Sequence, residues 1–427
     1  MPSPELFIKN RKKLVCCLKK GAMAIICPAA IAPRNGNQPY PYRQSSNLLY
    51  FTGIQQDHTY LFLYPNHPKE DFREVLFIRY TDNLTLTWEG PKLKKKQASC
   101  ISGIKNVMWT KDMLPFVDKA MKMASCVCLE MGEEWPQKTT PLSLSYRFAK
   151  EMEEKYPFQR FQKIVPDINK QRIIKDKSEI EIIKQAIEIT NLTFRNILKV
   201  IKLGLFEYEI EAEITRSFIK HEHCSHAYLP IVAGGANANG LHYNQNNSIL
   251  KKGDLLLLDF GAEKEGYAAD LSRTVPVSGK FSKRQAEVYC SVLKIQKQAK
   301  KLFIPKNTIE QLNAEVAIMM EEELVKLKLL KLSDLKKQDK ANPLYKKYYP
   351  HGLSHFIGLD VHDSGTRETP FKKGMVLSCE PGIYIKEEGF GIRLENDILV
   401  DNTPVDLMEN IPIEIEEIEN LMQKKKF

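Results

Sequence analysis

Four carboxylates and one histidine in the C-terminal half of the chain have the residue types and spacing of a metal site. Asp259 and Asp270 lie in the segment LLLLDFGAEKEGYAADLSRT, and Glu380 and Glu395 lie in MVLSCEPGIYIKEEGFGIRLENDILV. In each segment an apolar, strand-like run leads into a polar turn, and a second run carries the partner carboxylate. This pattern predicts two hairpins whose strand ends aim acidic side chains into a cavity.

Together with His355, these carboxylates match two hard divalent cations in charge and in ligand type. Four ionised acids balance a charge of about four units, and paired metals about 3.5–4 Å apart form a hydrolytic clamp. Without metal, clustered carboxylates would repel one another and raise one another's pKa values. Asp259 follows four consecutive leucines, so its burial is costly unless a partner neutralises its charge. Each acid alone is typical of a solvent-facing strand end, but the set predicts a two-metal site.

The segment PHGLSHFIGLDVHDSG contains His351, His355 and His362, three of the nine histidines of the chain. A single histidine is more often structural than catalytic. Three of them within twelve positions, near two acidic hairpins, favour a functional site. A metal-binding imidazole is neutral and is oriented by a second acceptor, for which Asp360 and Asp363 are the nearby candidates in the sequence.

A second histidine-rich tract, KHEHCSH, contains His221, His223 and His226. Its spacing is compatible with metal binding, but no set of acids accompanies it, so an exposed helix end is the favoured interpretation. The chain has no H-E-x-x-H, no G-x-S-x-G and no phosphate-binding loop. These absences argue against a kinase, a serine hydrolase and a dehydrogenase.

The pattern of strands and helices divides the chain into two domains, residues 1–167 and 168–427. The first alternates short strands with amphipathic helices, which predicts an α/β domain with a mixed sheet. The second opens with a long helical pattern for which Ser178 and Glu181 form an expected capping box. Helices over 207–221 and from near Ser282 accompany the acidic hairpins, which predicts a curved antiparallel sheet backed by helices.

The expected elements of the first domain are short. The strands are expected over 22–27, 60–64, 75–78 and 125–129, and the helices include 6–18 and 142–155. The segment GAMAIICPAAIAP superficially resembles the apolar part of a signal peptide, but it starts late and contains Pro28. We therefore interpret it as the first buried strand.

Length and composition limit the classes of protein. The chain has 427 residues, of which 43% are hydrophobic and 27% charged, as expected of a globular protein with two domains. The net charge is +10, but basic residues are mixed with 53 acidic ones, so no nucleic-acid partner is expected. No apolar run reaches the about 18–20 residues of a membrane span. Nine cysteines without repeated spacing predict buried thiols, rather than a disulfide scaffold, in a reducing, cytoplasmic compartment.

Four motifs together resemble the pita-bread metallopeptidases, and most closely the Xaa-Pro aminopeptidases (aminopeptidase P). The motifs are HGLSHFIGLDVHD, SCEPGIYI, GIRLENDILV and LLLLDFGAEKEGYAADLSRT. In the other half of the chain, YPYRQSSNLLYFTGI is similar to the N-terminal-domain signature of these enzymes, and IKDKSEIEIIKQAIEIT is similar to their linker helix. The resemblance covers nearly the whole chain and implies a creatinase-like N-terminal domain followed by a catalytic pita-bread domain.

The resemblance implies a metal-binding role for each matching position. Asp259 would bind one metal, while Asp270 and Glu395 would bridge the pair. His355 and Glu380 would bind the other metal. Manganese is the usual metal of the family, and cobalt, iron or zinc would also suit the oxygen-rich ligands.

Further positions match residues that contact the substrate. His242, in GLHYNQN, would contact the substrate or the developing tetrahedral intermediate, and His362 would be the second active-site histidine. The positions of His351, Arg393 and Tyr384 also match residues at the substrate site. The family further implies a homodimer or a homotetramer.

The implied reaction releases the N-terminal residue from a peptide whose second residue is proline. The metals would supply an activated water, His242 would help to stabilise the oxyanion, and Glu380 would act as general base. An Xaa-Pro bond lacks an N–H and has a fixed φ. Peptidases that hold an extended strand by its N–H groups therefore cannot bind it, which explains why a dedicated enzyme exists.

The alternatives share parts of this pattern. A prolidase, which is an Xaa-Pro dipeptidase, shares all five metal ligands and the histidines, but YPYRQSSNLLYFTG and LYKKYYPHGLSH favour aminopeptidase P. Methionine aminopeptidases lack an N-terminal domain of this kind, and non-catalytic binding scaffolds of the family lose the ligands. A creatinase-like hydrolase is a further alternative. The short connection IYIKEEGFGIR between Glu380 and Glu395 leaves the preferred peptide length open.

Overall fold

In this computed structural model, which describes residues 2–131, 143–221 and 224–423, the chain divides into two units. The first comprises Met1–Arg172 and the second Ile173–Phe427. The division falls at the end of a helix, whereas the change in sequence pattern predicts a domain boundary between residues 167 and 168.

The first unit is a mixed sheet with helices. Its strands are β1 (Ala22–Ile26), β2 (Pro33–Asn35), β3 (Gln38–Pro39), β4 (Tyr60–Leu63), β5 (Glu74–Ile78), β6 (Asn106–Trp109), β7 (Cys126–Leu129) and β8 (Phe161–Lys163). Its helices are α1 (Pro4–Cys17), α2 (Ser46–Thr52), α3 (Asn83–Glu89), α4 (Lys95–Ser102), α5 (Met113–Met121), α6 (Leu144–Lys155) and α7 (Val165–Arg172). The helix predicted over 142–155 starts at residue 142, which lies outside the described residues.

Six of these strands form one sheet in the order β6-β5-β4-β1-β7-β8. Strand β4 is antiparallel to both β1 and β5, and the remaining neighbours are parallel, so the sheet is mixed as the sequence predicts. All five residues of β1 are buried. A strand between two neighbours with both faces covered reads as a continuous apolar run, and the interpretation of GAMAIICPAAIAP as a buried strand is confirmed.

The second unit is built from antiparallel strand pairs and longer helices. Its strands are β9 (Ser225–His226), β10 (Ile231–Gly234), β11 (Leu255–Asp259), β12 (Ala262–Lys264), β13 (Tyr267–Ala268), β14 (Ser272–Pro276), β15 (Val376–Cys379), β16 (Gly382–Ile385), β17 (Phe390–Arg393), β18 (Asn396–Leu399) and β19 (Val405–Asp406). Its helices are α8 (Lys177–Val200), α9 (Glu207–Lys220), α10 (Lys283–Ala299), α11 (Ile309–Lys326), α12 (Leu332–Leu335) and α13 (Ile415–Gln423). Among the described residues, no helix is long and apolar enough to cross a membrane.

Both predicted acidic hairpins form, but the antiparallel strands belong to separate small sheets. Strand β11 pairs with β10 and β14, while β12 turns away to pair with β13 and β9. In the second hairpin β15 pairs with β18, and β16 pairs with β17. The tight turn at Glu265 and Gly266, both with positive φ, lets β12 and β13 form a hairpin of their own inside the longer one.

The capping box predicted for α8 is wrong by two residues. The helix begins at Lys177, with Asp176 as its N-cap and Glu179 as the reciprocal partner. The Asp176 side chain accepts from the Ser178 amide at 3.1 Å, and Glu179 accepts from the Asp176 amide at 2.7 Å. Asp176 and Glu179 have the same three-residue spacing as the predicted pair, and aspartate is an equally good N-cap, so the earlier pair starts the helix.

A buried ion pair connects Lys175, the residue before the N-cap of α8, to the segment that carries His355 and His362. Lys175 Nζ lies 3.0 Å from Asp363 Oδ2, and each side chain is 1% exposed. The backbone of Gly358 passes close to this pair. A Cβ at that position would lie 2.0 Å from Asp363 Oδ2, so only glycine fits there. Asp363 therefore anchors the segment that carries His355 and His362.

We expect Lys175→Met to lower the free energy of unfolding by about 3–5 kcal/mol, because it leaves the buried Asp363 carboxylate without its cation. The double variant Lys175→Met/Asp363→Asn should recover part of that loss. Urea unfolding followed by circular dichroism measures both. Lys184→Met is the matched control, since Lys184 forms an exposed pair with Glu181 and should change stability by no more than about 1 kcal/mol. Equal effects of Lys175→Met and Lys184→Met would contradict this role of the buried pair.

Candidate active site

The two hairpins place their carboxylates around one cavity of about 930 Å³. Asp259 is the last residue of β11, and its register partner Ser272 starts β14 two residues after Asp270. Glu380 follows β15 and Glu395 precedes β18, at the break between the β15–β18 and β16–β17 ladders. The acids thus occur where regular strand pairing ends, so their side chains are free to turn toward the cavity that they line.

His355 reaches this cavity because its backbone pairs with the glutamate hairpin. The Ser378 amide donates to the His355 carbonyl at 2.9 Å, and the His355 amide donates to Ser378 Oγ at 3.0 Å. The neighbouring Glu380 amide donates to the Leu353 carbonyl at 2.9 Å. These bonds explain how a histidine 25 residues earlier in the chain than Glu380 comes to lie beside it.

The imidazole of His355 faces three of the four carboxylates. Its Nε2 atom lies 3.3 Å from Asp270, 3.6 Å from Glu380 and 3.9 Å from Glu395. One potential ligand atom from each of Asp270, His355 and Glu395 lies within 4.8 Å of the other two, an arrangement that could hold a metal ion. Glu380 is adjacent to this group of three residues.

Asp259 is connected to the group through Tyr228, which the sequence analysis did not identify. The Tyr228 hydroxyl lies 2.7 Å from Asp259 Oδ1 and 2.6 Å from Asp270 Oδ1. Because a phenol has a single proton, it can donate to only one of the two carboxylates at a time. Tyr228 precedes Asp259 by 31 residues and Asp270 by 42, and no motif in AYLPI marks it as part of the site.

Arg393 supplies a buried positive charge at the cavity wall. Its guanidinium forms an ion pair with Asp259 and donates to Tyr384 Oη at 2.9 Å and to Ser272 Oγ at 2.8 Å. Ser272 in turn donates to Glu395 at 2.7 Å. Arg393 thus compensates the charge of Asp259 directly. It also holds the Ser272 hydroxyl, which donates a hydrogen bond to Glu395.

The remaining predicted histidines also lie at the cavity. His242, His351 and His362 all line it. The His362 ring stacks on His355 with 4.1 Å between ring centroids, and His351 Nε2 lies 2.9 Å from the Tyr384 hydroxyl. Tyr384 is buried behind His351 and Arg393, both of which line the cavity.

The acceptor beside His355 is a main-chain carbonyl. His355 Nδ1 lies 3.2 Å from the Phe356 carbonyl oxygen, whereas Asp363, one of the two acids suggested by the sequence, pairs with Lys175. An acid missed in the sequence, Asp397, is fully buried and accepts from the Asp270 amide at 3.2 Å. Backbone contacts of this kind have no sequence signature.

Electrostatic crowding is the main feature of the site. Burial, together with the charges of neighbouring acids, raises the pKa of Asp259, raises that of Glu380 to about 7 and raises that of Glu395 well above its usual range. Burial alone would lower the pKa of His355, but contact with Asp270 and Glu380 raises it to about 9. Divalent cations would relieve this repulsion, and the donor set of carboxylate oxygens and one imidazole fits them.

The pKa values of the two histidines nearest His355 in the sequence shift in the opposite direction. Burial lowers the pKa of His351 to about 3 and that of His362 to about 4. Neutral imidazoles can donate or accept a hydrogen bond without adding positive charge beside a metal site.

The KHEHCSH tract forms no comparable group among the described residues. His221 Nδ1 lies 2.7 Å from the Ser217 carbonyl at the end of α9, and His226 Nε2 lies 2.9 Å from Thr215 Oγ1. His223 lies outside the described residues. The two described histidines of this tract therefore bond to helix α9.

Comparison with known proteins agrees with the fold and with the expected class of enzyme. Residues 181–402 match the metallopeptidase family M24, and residues 7–128 match the aminopeptidase P N-terminal domain. The chain belongs to metallopeptidase family M24. It is 33% identical to an Xaa-Pro aminopeptidase of Haemophilus influenzae and 32% identical to one of Escherichia coli, over 98% of this chain and 97% and 98% of theirs.

A solved structure shows the same architecture. Zinc-substituted aminopeptidase P of Escherichia coli in complex with product superposes with a TM-score of 0.90 at 31% identity, covering 100% of this chain and 99% of that one. The resemblance drawn from the four motifs is confirmed. So are the fold, a mixed-sheet α/β unit followed by a pita-bread unit, and the enzyme class, a metallopeptidase.

We expect Tyr228→Phe to weaken Mn²⁺ binding at least about 10-fold, because it removes the hydroxyl that orients Asp259 and Asp270. Isothermal titration calorimetry of the metal-free protein with Mn²⁺ measures the change in Kd. Tyr349→Phe is a suitable control: its buried hydroxyl has no hydrogen-bond partner in the part of the chain that the structure describes. An unchanged Kd in Tyr228→Phe would show that this hydroxyl does not orient the carboxylates.

Proposed function

We propose that the protein is a metal-dependent aminopeptidase that releases the first residue from peptides with proline at the second position. The observation that carries this proposal is the convergence of four carboxylates and His355 on one cavity, with three further histidines on its wall. The similarity to Xaa-Pro aminopeptidases over nearly the full length of both chains supports the same substrate class.

Asp259, Asp270, His355, Glu380 and Glu395 would hold two divalent ions, for which we propose manganese. Zinc is compatible with the related site, since the Escherichia coli neighbour is a zinc-substituted form. When bound, the metals supply Lewis acidity that generates a nucleophile from water at neutral pH and polarises the scissile carbonyl.

Glu380 is the acid best placed to move a proton. Its side chain is 19% exposed, compared with 12% for Asp259, 7% for Asp270 and 3% for Glu395. A carboxylate that reaches the cavity can accept a proton from water and pass it to the leaving proline nitrogen. We therefore assign Glu380 as the general base.

The histidines on the cavity wall would hold the substrate. His242 would donate a hydrogen bond to the oxygen on which negative charge develops. The neutral rings of His351 and His362 would contact the peptide, while Arg393 fixes the wall through Tyr384. Since the Xaa-Pro bond lacks an N–H, recognition falls to side chains such as these rather than to strand pairing.

The two units would have separate roles. We propose that residues 1–167 form the aminopeptidase P N-terminal domain and that residues 168–427 form the catalytic domain, as the two family matches support. From the resemblance we also propose a homodimer or homotetramer. The nine cysteines form no disulfide, which supports a reducing, cytoplasmic location. The prediction that their thiols are buried is wrong for Cys16, Cys17, Cys100 and Cys290, which are exposed.

The proposed activity predicts manganese-dependent hydrolysis of an Xaa-Pro-Yaa tripeptide, with release of the first residue and little cleavage of the Xaa-Pro dipeptide. EDTA should abolish the reaction, and added Mn²⁺ should restore it. Chromatography of the products from both peptides measures this. Preferential cleavage of the dipeptide would identify a prolidase instead. Absence of cleavage of either peptide by the metal-loaded protein would contradict a peptidase function.

We expect Glu380→Gln to lower kcat by about 10²- to 10⁴-fold, because an amide cannot accept the proton. Metal content should be measured by mass spectrometry in the same preparation, so that loss of metal and loss of the base are separated. Glu387→Gln in the turn of the same hairpin is the control, since Glu387 forms an exposed pair with Lys347. A Glu380→Gln enzyme with full metal content and unchanged kcat would rule out this base.

A further inference from the structure

His242 reaches the cavity on a loop, residues 235–248, that follows β10. Its side chain is exposed to the cavity. Within the described part of the chain, that side chain forms no hydrogen bond and no ion pair. The position of the ring therefore depends on how firmly the backbone of the 235–248 loop is held.

Glu207, the first residue of α9, holds this loop with a single carboxylate. One oxygen accepts from the Gly234 amide at 2.7 Å and from the Asn237 side chain at 2.9 Å. The other accepts from the Tyr243 hydroxyl at 2.7 Å and from the Ser248 amide at 2.9 Å. The donors lie at both ends of the 235–248 loop and at the residue next to the histidine.

The surroundings of Glu207 are built for a carboxylate. Its side chain is fully buried, and burial of a charge is costly unless hydrogen bonds compensate it. Four donors do so here, and bonds to an ionised acceptor are stronger than neutral ones. Because Gly234 has no Cβ, its backbone can lie close to the Glu207 carboxylate. A Cβ there would lie 3.3 Å from the Glu207 carboxylate and 2.8 Å from Leu250.

The backbone around Glu207 is held as well. Its amide donates to the Ser248 carbonyl at 2.9 Å, and the Leu250 amide donates to the Leu205 carbonyl at 2.8 Å. One turn further along α9, Glu211 accepts from the Asn246 side chain at 2.9 Å. The start of α9 is therefore held in place, and from it the carboxylates of Glu207 and Glu211 accept hydrogen bonds from the loop.

We propose that Glu207 is a positioning residue that sets the location of His242 at the cavity through the 235–248 loop. It touches neither the substrate nor the metal site, and it acts only through the loop. The inference rests on the proposed function for the role of His242, whereas the anchoring of the loop is independent of that function.

A double-mutant cycle separates positioning from a general effect on the fold. Glu207→Gln places an amide N–H₂ against two of the four donors, and displacement of a reacting group by about 1 Å can lower rates up to about 100-fold. We expect Glu207→Gln to lower kcat/KM for an Xaa-Pro-Yaa peptide by about 10- to 100-fold. In the background of His242→Ala, Glu207→Gln should have no further effect. Fully multiplicative losses would overturn the inference, because independent sites are additive in free energy.

Two further variants make the test robust. Tyr243→Phe removes one donor and keeps the ring in its apolar cluster with Ile231 and Leu257, so it is the milder change and should fold even if Glu207→Gln does not. It should lower kcat/KM less than Glu207→Gln, and again only when His242 is present. Glu213→Gln on the same helix is the matched control, since Glu213 pairs with Arg216 on the surface and should leave kcat/KM unchanged.

Hydrogen exchange gives a readout that does not require activity. Amides of residues 235–248 should exchange faster in Glu207→Gln than in the wild type, while those of β11 should not change. Unchanged exchange together with unchanged kcat/KM in a wild type that cleaves Xaa-Pro peptides would overturn the inference. A wild type without peptidase activity would overturn the proposed function, and faster exchange in Glu207→Gln would then still support the anchoring of the loop.

Discussion

Repulsion among the carboxylates around His355 governs how the second unit of the chain is arranged around its cavity. Asp259, Asp270 and Glu395 are buried, and Glu380 lies beside them. Charges this close are tolerated only when cations or strong donors compensate them. The protein supplies some of this compensation itself, and the ligand types that remain are those that divalent metals prefer.

The compensation that the chain supplies is shared among a few buried groups. Arg393 pairs with Asp259 and donates to Ser272, which braces Glu395. Tyr228 contacts the two aspartates. These groups come from different strands and loops, so the arrangement of the acids is a property of the folded unit and not of either hairpin alone.

The histidines around the cavity share one structural principle. Each lies in an irregular segment, and a buried carboxylate helps to hold two of these segments in place. Asp363, paired with Lys175, anchors the segment that carries His362, and Glu207 anchors the loop that carries His242. Irregular segments lack the regular hydrogen bonds of strands and helices, and the hydrogen bonds and ion pairs of these buried carboxylates take over that role.

The acidic hairpins, the histidine cluster, the mixed sheet and the family could all be predicted from the sequence, because they depend on local periodicity and on motifs of adjacent residues. The sequence did not determine the true cap of α8, since two equally good capping pairs lie two residues apart. The folded chain alone shows that Tyr228 joins the two aspartates, that Arg393 pairs with Asp259 and that Glu207 holds the 235–248 loop. These contacts join residues 27 to 134 positions apart, and such pairings arise from packing, which leaves no pattern in the local sequence.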